Sequence, residues 1–533
     1  MSGLGRASVL LGAGTIVSRV TGLIRSIVLV GVIGANASEV ADAFMLANQL
    51  PNNVYAIISA GVLTAVIVPQ IVRESTRSDG GQRFLSALFT AGTVLLLVVT
   101  LLSTLAAPLL IALYGEDFTP RQHALATAFA YWCLPQLFFY GLYALVGEAL
   151  NARRVFGPFT WAPVVNNLIS IAGFIGIMML FGSNLTEVDE WTPGMIAALG
   201  GTATLGIVTQ AVVLLLFWRR TGLRVRPDFH WRGLGFRNLA RLAGWTTLMV
   251  IVGQLAGFVQ TRLASAASGE GPSIAVMQNA WLVFMLPYSV IVLSIGTPYF
   301  TQISEHAAAG RTDRVREDVS TSIRTISLFI VAATAALVAA AIPATRVIVN
   351  SAPDAVAAAP VLLMYLVGLL PLAVLFIVQR TFYAYDDTRT PFLFTLVQGA
   401  LVVATALVAS AVTPVEHLAA GIALGQSISG TVQVVLAAYL LRRRLGGIQT
   451  RVWMLSLVRF FIAAVPAALA GWGVFLLLGG ADGWTTADKV FGALGTAIIG
   501  AVAAVVYLAG LAVMRAPELT AALGLVQRVV KRG

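Results

Sequence analysis

The sequence predicts an all-α, multi-pass membrane protein with about fourteen transmembrane helices. Of its 533 residues, 58% are hydrophobic and 11% are charged, and the mean hydropathy is +0.88. The apolar residues occur in runs of about 20 or more, the length that a helix needs to cross a bilayer. Loops rich and poor in Lys and Arg also alternate along the chain, as they do in multi-pass proteins. A soluble globular fold is therefore excluded.

Glycine, proline and charged residues separate the apolar runs from one another. We expect the first run to be a retained helix rather than a signal peptide, because it contains Arg19 and lacks an A-x-A cleavage site. The fourteen predicted spans cover roughly residues 7–34, 41–72, 84–112, 122–150, 155–182, 194–218, 239–264, 272–303, 320–343, 356–384, 390–412, 416–441, 452–479 and 489–514.

The basic residues predict how the chain is oriented. If the N-terminus is cytoplasmic, 27 of the 34 Lys and Arg residues lie on the cytoplasmic side, and only Arg121, Arg346 and Lys489 lie in outer loops. The positive-inside rule gives this split for an even number of helices with both termini in the cytoplasm. The net charge of +11 then reflects orientation and anionic lipid headgroups rather than nucleic acid, because the basic residues are spread over short loops.

An internal repeat predicts two pseudo-symmetric six-helix lobes. LPNNV at residues 50–54 corresponds to LPYSV at 286–290, and NARRVFGPF at 151–159 corresponds to AYDDTRTPF at 384–392. The offsets, 236 and 233 positions, are nearly equal. We therefore predict an N-lobe over residues 1–218, a basic cytoplasmic linker over 219–238, a C-lobe over 239–441, and two further helices with a cytoplasmic tail over 442–533. The aromatic, arginine-rich linker suits the headgroup level, although a solvated basic loop is the alternative.

Charged residues inside the first two spans mark a candidate site. A charge at the bilayer centre costs several kcal/mol unless it faces water or a partner. Arg19 lies about 18 Å along the first span, and its own helix contains no acid. We therefore expect Arg19 to face an aqueous cavity and an anionic substrate. Arg25 either joins it there or forms a buried ion pair with Asp42.

Other polar positions extend this site. Asn48, Gln49, Asn52 and Asn53 continue the polar stripe of the second span beyond Asp42. Arg262, near the outer end of the seventh span, either snorkels to the interface or lines a cavity. GxxxG pairs at 253/257 and 421/425 predict close helix packing.

Three motifs carry a family resemblance: SR-x-x-G-x-x-R at residues 18–25, DAF-x-x-A-x-x-LPN at 42–52, and FYAYDDTRTPF at 382–392. With them, nearly the whole chain resembles the MurJ/MviN family of lipid II flippases in the MOP exporter superfamily. The resemblance implies a protein of the bacterial cytoplasmic membrane that moves lipid II, the undecaprenyl-pyrophosphate-linked peptidoglycan precursor, from the inner to the outer leaflet. It implies alternating access through a central cationic cavity, contact with membrane lipids, and the cell-wall synthesis machinery as a further candidate partner.

The resemblance also assigns roles to individual residues. The family's cavity arginines match Arg19 and Arg25, and its second-helix acid and asparagine match Asp42 and Asn52. The predicted substrate-binding residues are Arg19, Arg25, Asn52 and Arg262, and the predicted cavity or gating residues are Asp42, Asn48, Gln49 and Tyr55.

The chain also departs from the family pattern. Tyr55 stands where many members have a basic residue. Leu282 and Met285 occupy positions of the eighth helix where well-known members carry an arginine and an acid. We expect Arg262 to supply the missing charge of the second lobe.

Other classes of function fit the sequence less well. The four histidines, His123, His230, His306 and His417, are scattered over loops, and no P-loop or metal-binding spacing occurs, so we expect neither an enzyme nor a metal or other cofactor. Another MOP exporter, either a polysaccharide-lipid flippase or a drug/cation antiporter, is the closer alternative. A cation exporter should carry acids rather than arginines in its first lobe. The membrane potential, at about 2.3 kcal/mol per charge per 100 mV, or an unidentified ion gradient is the expected driving force.

Overall fold

The computed structural model describes residues 3–59, 82–153, 155, 157–222, 225–229 and 236–520. All the long elements in these ranges are helices. Thirteen helical stretches among the described residues are long and apolar enough to cross a membrane. The predicted class of all-α membrane protein is therefore confirmed, while the cytoplasmic location of both termini stays a prediction.

The chain folds into two compact units, Met1–Gly269 and Glu270–Gly533. The first unit takes in the seventh predicted span, whereas the predicted N-lobe ends at residue 218. The proposed lobe boundaries stay a prediction. The helices of the first unit are α1 (Gly3–Ile33), α2 (Glu39–Ile58), α3 (Gln82–Leu105), α4 (Ala107–Tyr114), α5 (Pro120–Cys133), α6 (Gln136–Ala152), α7 (Gly157–Phe181), α8 (Pro193–Leu216) and α9 (Phe236–Ala264).

The second unit contains the remaining ten helices among the described residues. They are α10 (Ile274–Pro287), α11 (Leu293–Ala308), α12 (Thr312–Ala339), α13 (Ala341–Arg346), α14 (Ala352–Leu366), α15 (Leu369–Ala384), α16 (Arg389–Val412), α17 (Val415–Leu445), α18 (Thr450–Leu477) and α19 (Lys489–Val513). A π-helical turn over Tyr288–Val292 joins α10 to α11, directly after Pro287. A break between α14 and α15 lies four residues before Pro371, whose ring excludes the helical hydrogen bond to the Val367 carbonyl.

The thirteen apolar stretches correspond to thirteen of the fourteen predicted spans. The exception is the second prediction, over residues 41–72. Its first part forms α2, which carries several amide side chains and is therefore less apolar than the thirteen stretches. Its last part, with Pro69, lies outside the described residues.

The two GxxxG pairs differ in outcome. A Cβ atom on Gly425 would lie 2.6 Å from Thr405 Oγ1, and one on Gly421 would lie 3.1 Å from Thr413 Oγ1, so close packing of α16 against α17 is confirmed there. A Cβ atom on Gly253 or Gly257 would meet no atom within 4 Å among the described residues. The prediction of close packing is therefore wrong for that pair, because the spacing alone does not supply a neighbouring helix.

A tight turn between α1 and α2 sets the position of the candidate site. Gly34 has a φ of +77°, and the Ser38 hydroxyl donates to the Ile33 carbonyl at 2.7 Å. Ser38 also caps α2, because its Oγ accepts a hydrogen bond from the Ala41 amide at 3.1 Å. A Cβ atom on Gly34 would lie 2.8 Å from Thr186 Cγ2. Glycine is thus required here by both backbone conformation and space.

We expect Gly34→Ala to lower the apparent melting temperature of the purified protein by several degrees, which corresponds to about 1–2 kcal/mol. The matched control is Gly176→Ala, since a Cβ atom at that helical position meets nothing within 4 Å of it. Thermal unfolding in detergent measures both variants. Equal melting temperatures for the two would contradict the proposed constraint at the turn.

Candidate functional site

The α2 helix changes from buried to polar and accessible at Asn48. All residues from Val40 to Ala47 are buried. Beyond them Asn48, Gln49 and Asn53 are half-buried, and Asn52 is exposed. Amide groups exposed to hydrocarbon cost several kcal/mol each, so this end of α2 requires water or polar partners around it.

A chain of polar side chains connects α2 to α1 through α6. Gln136, which is 1% exposed, donates from Nε2 to Asn48 Oδ1 and to Thr204 Oγ1, at 3.1 Å in each case. The Tyr140 hydroxyl donates to Gln136 Oε1 at 3.4 Å. Arg25 is half-buried and lies within electrostatic range of Tyr140. Arg25 therefore lies near the polar chain that leads to the amide-bearing end of α2.

Arg19 is exposed and lies on another side of α1 from Arg25. The two arginines are six residues apart, which corresponds to about 9 Å along the helix axis. Within the described residues, the Arg19 side chain forms no hydrogen bond or ion pair. Asn167 of α7 fixes the rotation of this part of α1, because its Nδ2 donates to the Ser18 carbonyl at 3.1 Å and to Thr21 Oγ1 at 3.0 Å.

Tyr55 and Asn53 border the same end of α2. The Tyr55 and Tyr140 rings lie 5.9 Å apart, centroid to centroid. Asn53 lies near Tyr114, and its carbonyl accepts from Gln254 Nε2 at 3.3 Å. The α2 helix is thereby connected to α4, α6 and α9, each of which carries one of these polar partners.

Asp42 lies in a different polar cluster, near the N-terminus of α2. Its side chain is nearly fully buried, and Oδ2 accepts a hydrogen bond from the Ser268 hydroxyl at 2.7 Å. Gln122 Nε2 donates to the same hydroxyl at 2.8 Å and to the Glu39 carbonyl at 2.9 Å. The predicted ion pair between Asp42 and Arg25 is therefore wrong, because the Asp42 carboxylate accepts from Ser268 and forms no ion pair with Arg25.

Arg262 has a carboxylate partner. It forms an ion pair with Glu116, and its guanidinium donates to the Leu113 carbonyl at 3.4 Å. A paired, partly exposed arginine is less available to an anionic substrate than an unpaired one. The role of Arg262 in substrate binding stays a prediction, and the ion pair is the alternative role that the structure offers.

In the second unit, sequence reasoning missed Arg380, which it counted with the cytoplasmic loops. Arg380 lies inside α15, and its guanidinium carbon is 5.2 Å from the ring centroids of both Phe300 and Phe376. Among the described residues it forms no ion pair with a carboxylate. Leu282 and Met285 are half-buried and apolar, so α10 supplies no charge at those positions. The sequence signal that could have identified Arg380 is the polar pair Gln379-Arg380, which interrupts an apolar run. Arg380 follows Phe376 by four residues, one helical turn.

The exposed face of α11 is polar. It includes Ser294, Thr297 and Thr301. By contrast, the exposed residues of α18 include Phe461, Val465 and other large apolar side chains. The α18 face suits hydrocarbon and the α11 face suits water.

Comparisons with known proteins give a consistent result. The chain matches the family described as lipid II flippase MurJ over residues 30–494. A probable lipid II flippase MurJ from Rhizobium meliloti is 26% identical, with 98% of this chain and 95% of that protein covered. One from Haemophilus influenzae is 25% identical, with 86% and 89% covered.

Solved structures share the fold. A lipid II flippase MurJ in an inward closed conformation matches with a TM-score of 0.71 and 19% identity, over 93% of this chain and 98% of that chain. An inward-facing multidrug resistance MATE family transporter of the MOP superfamily matches with a TM-score of 0.65 and 16% identity, over 81% and 96%.

The buried amide of Gln136 yields a prediction about stability. Gln136→Leu leaves Asn48 Oδ1 and the Tyr140 hydroxyl without this partner, so we expect a loss of about 2–3 kcal/mol. Gln398→Leu is the control, since Gln398 is half-buried and makes no side-chain hydrogen bond among the described residues. Thermal unfolding of both variants tests this, and a Gln136→Leu protein as stable as the control would refute the proposed coupling.

Proposed function

The chain belongs to the lipid II flippase MurJ family, and we propose that it moves lipid II from the inner to the outer leaflet of the bacterial cytoplasmic membrane. It is a transporter and not an enzyme. The observation that carries the proposal within the molecule is Arg19, an exposed arginine of a membrane helix with no side-chain partner among the described residues.

An arginine in that position has to be balanced by water or by an anion. A guanidinium presents five N–H donors in a rigid fork, which matches the oxygens of a phosphate group. A diphosphate bearing a polar head needs such a hydrated cationic surface, while its isoprenoid tail is soluble in lipid. In this proposal Arg19 binds the diphosphate directly.

The other predicted residues have supporting roles. Arg25 contributes a second positive charge and lies near Tyr140. Asn52, the most accessible amide of α2, offers a further donor to the substrate. Asn48, Gln49 and Tyr55 respond to movements of α6, since Asn48 and Tyr55 contact it through Gln136 and Tyr140. Asp42 acts in gating through its hydrogen bond to Ser268.

Arg380 is our candidate for the cation of the second unit. It lacks a carboxylate partner among the described residues, whereas Arg262 is paired with Glu116. Phenyl rings on two sides hold the guanidinium by cation–π contacts without neutralising it. In this proposal Arg380 supplies the positive charge that the apolar residues Leu282 and Met285 cannot provide.

The driving force follows from the charge of the substrate. An inside-negative membrane potential favours outward movement of an anion by about 2.3 kcal/mol per charge per 100 mV. No cofactor is required by this scheme. Movement by alternating access, and contact with the cell-wall synthesis machinery, belong to the proposal as well. Within the described parts of α1 and α2 an arginine, Arg19, is exposed and no carboxylate is, which disfavours a drug/cation antiporter.

We expect Arg19→Ala to reduce lipid II export more than ten-fold and to fail in cells that depend on the protein. Arg19→Lys should retain only part of the activity, because lysine keeps the positive charge but lacks the fork of N–H donors of the guanidinium. Arg121→Ala is the control, since Arg121 forms only an exposed ion pair with Asp189. The measurement is the leaflet distribution of lipid II after depletion of the wild-type protein. Normal export by Arg19→Ala would overturn the proposal.

A double-mutant cycle tests whether Arg262 binds substrate or acts only through its ion pair with Glu116. If Arg262 acts only through its ion pair, then Arg262→Ala, Glu116→Gln and the double variant have similar export rates. If Arg262 binds substrate, Arg262→Ala is as severe as Arg19→Ala, and Glu116→Gln is mild. We expect the first pattern for Arg262 and a loss of more than ten-fold for Arg380→Ala.

A further inference from the structure

The second unit contains a half-enclosed cavity of about 70 Å³ that none of the roles above uses. It lies among α10, α14, α15, α16 and α17. Three aromatic rings line one side, those of Trp281, Phe284 and Tyr365. Three amide side chains line it as well, those of Gln398, Gln426 and Gln433.

The aromatic side is a preformed cluster. The ring centroids of Trp281 and Phe284 are 4.7 Å apart, and those of Trp281 and Tyr365 are 5.3 Å apart. Phe284 and Tyr365 are buried, whereas Trp281 is half-buried. Rings packed against one another in this way lose little entropy when a ligand is placed against them.

The polar side has unused hydrogen-bonding capacity. Gln433 donates to Thr395 Oγ1 at 3.3 Å, which leaves its carbonyl oxygen available. Within the described part of the chain, the side chains of Gln398 and Gln426 and the Tyr365 hydroxyl make no hydrogen bond. Tyr365 is nevertheless only 5% exposed. Unpaired polar groups in a membrane helix bundle are costly, so these groups require a partner inside the cavity.

The chemistry of the lining excludes several ligands. No Asp, Glu, Lys or Arg occurs among the described residues that line the cavity, so neither a phosphate nor a metal cation finds a counter-charge there. An isoprenoid chain would leave the amides and the hydroxyl unpaired. A sugar ring combines one apolar face of C–H groups with hydroxyl or acetamido groups at its edge. The volume equals that of roughly five water molecules, so the cavity takes the edge of one such ring, and its open side leaves the rest of the ring outside.

We propose that this cavity binds one uncharged sugar ring of the lipid-linked substrate, stacked on Trp281 and hydrogen-bonded by Tyr365, Gln398 and Gln426. The inference rests on the proposed function, because the substrate named there carries a sugar head on its diphosphate. It assigns recognition of the sugar to the second unit, whereas the arginines recognise the diphosphate.

Two lipids that share the diphosphate and the isoprenoid tail, only one of which carries the sugar-peptide head, test this proposal. Lipid II and undecaprenyl diphosphate are each titrated against the full-length protein in nanodiscs, and dissociation constants are measured by native mass spectrometry. We expect Tyr365→Phe and Gln426→Leu to weaken lipid II binding about five- to ten-fold and to leave the binding of undecaprenyl diphosphate unchanged. Tyr439→Phe is the control, because Tyr439 is exposed on α17 and does not line the cavity.

A second variant fills the cavity without disturbing the fold. Gly430 lines the cavity, and a Cβ atom there would meet nothing within 4 Å. Gly430→Leu should therefore fold normally and weaken lipid II binding at least as much as Gln426→Leu. Gly473→Leu is its control, since Gly473 has similar free space on α18 and lies away from the cavity.

The outcomes separate the two proposals. If the wild-type protein binds lipid II no better than undecaprenyl diphosphate, the sugar site is refuted while the diphosphate role of the arginines stands. If the variants weaken both lipids equally, or neither lipid, the cavity is a water-filled gap and the inference is wrong. If the wild-type protein binds neither lipid, the proposed function fails and the sugar site with it.

Discussion

The structure depends on one constraint: polar and charged groups in a membrane protein must find water or a partner, because hydrocarbon provides neither. Most polar side chains of the first unit meet this constraint through contacts between helices. Gln136 contacts three other side chains, Asn167 ties α7 to α1, and Asp42 accepts from Ser268. Arg19 and Arg25 are exceptions, since neither forms a hydrogen bond or an ion pair among the described residues. That difference distinguishes a residue that stabilises the fold from one that is available to a substrate.

The two units meet the constraint in different ways. In the first, α1 carries the arginines and α2 carries the amides, and the rings of Tyr55 and Tyr140 contact one another. In the second, Arg380 is flanked by phenyl rings, and a separate cavity combines aromatic rings with glutamines. In our proposals the arginines bind the diphosphate of the substrate, and the cavity binds one of its sugars. The two units thus carry different sets of side chains.

Some arginines stabilise the fold and are not available to a substrate. Arg262 and Arg346 are both arginines near predicted membrane boundaries, but Arg262 pairs with Glu116, while Arg346 is buried and donates to the carbonyls of Val349, Thr486 and Ala487. Burial lowers the pKa of the Arg346 guanidinium, and its three carbonyl partners support the charged form. Such residues fasten one segment to another. The number of arginines alone therefore overestimates the positive charge that a substrate meets.

The sequence by itself determined the membrane class, thirteen of the spans, the unusual position of Arg19, and the motifs that indicate the family. These features depend on composition and on local order along the chain, which hydrophobicity and helix geometry fix without tertiary contacts. Only the tertiary structure decided which polar groups are satisfied: Ser268 for Asp42, Glu116 for Arg262, Tyr140 beside Arg25, and phenyl rings around Arg380. Three of these partners, Ser268, Glu116 and Tyr140, lie more than a hundred positions away along the chain, and no local pattern encodes such a meeting. The open space that the described residues leave around Gly253 and Gly257 has the same cause, since packing needs a second surface that the motif does not contain.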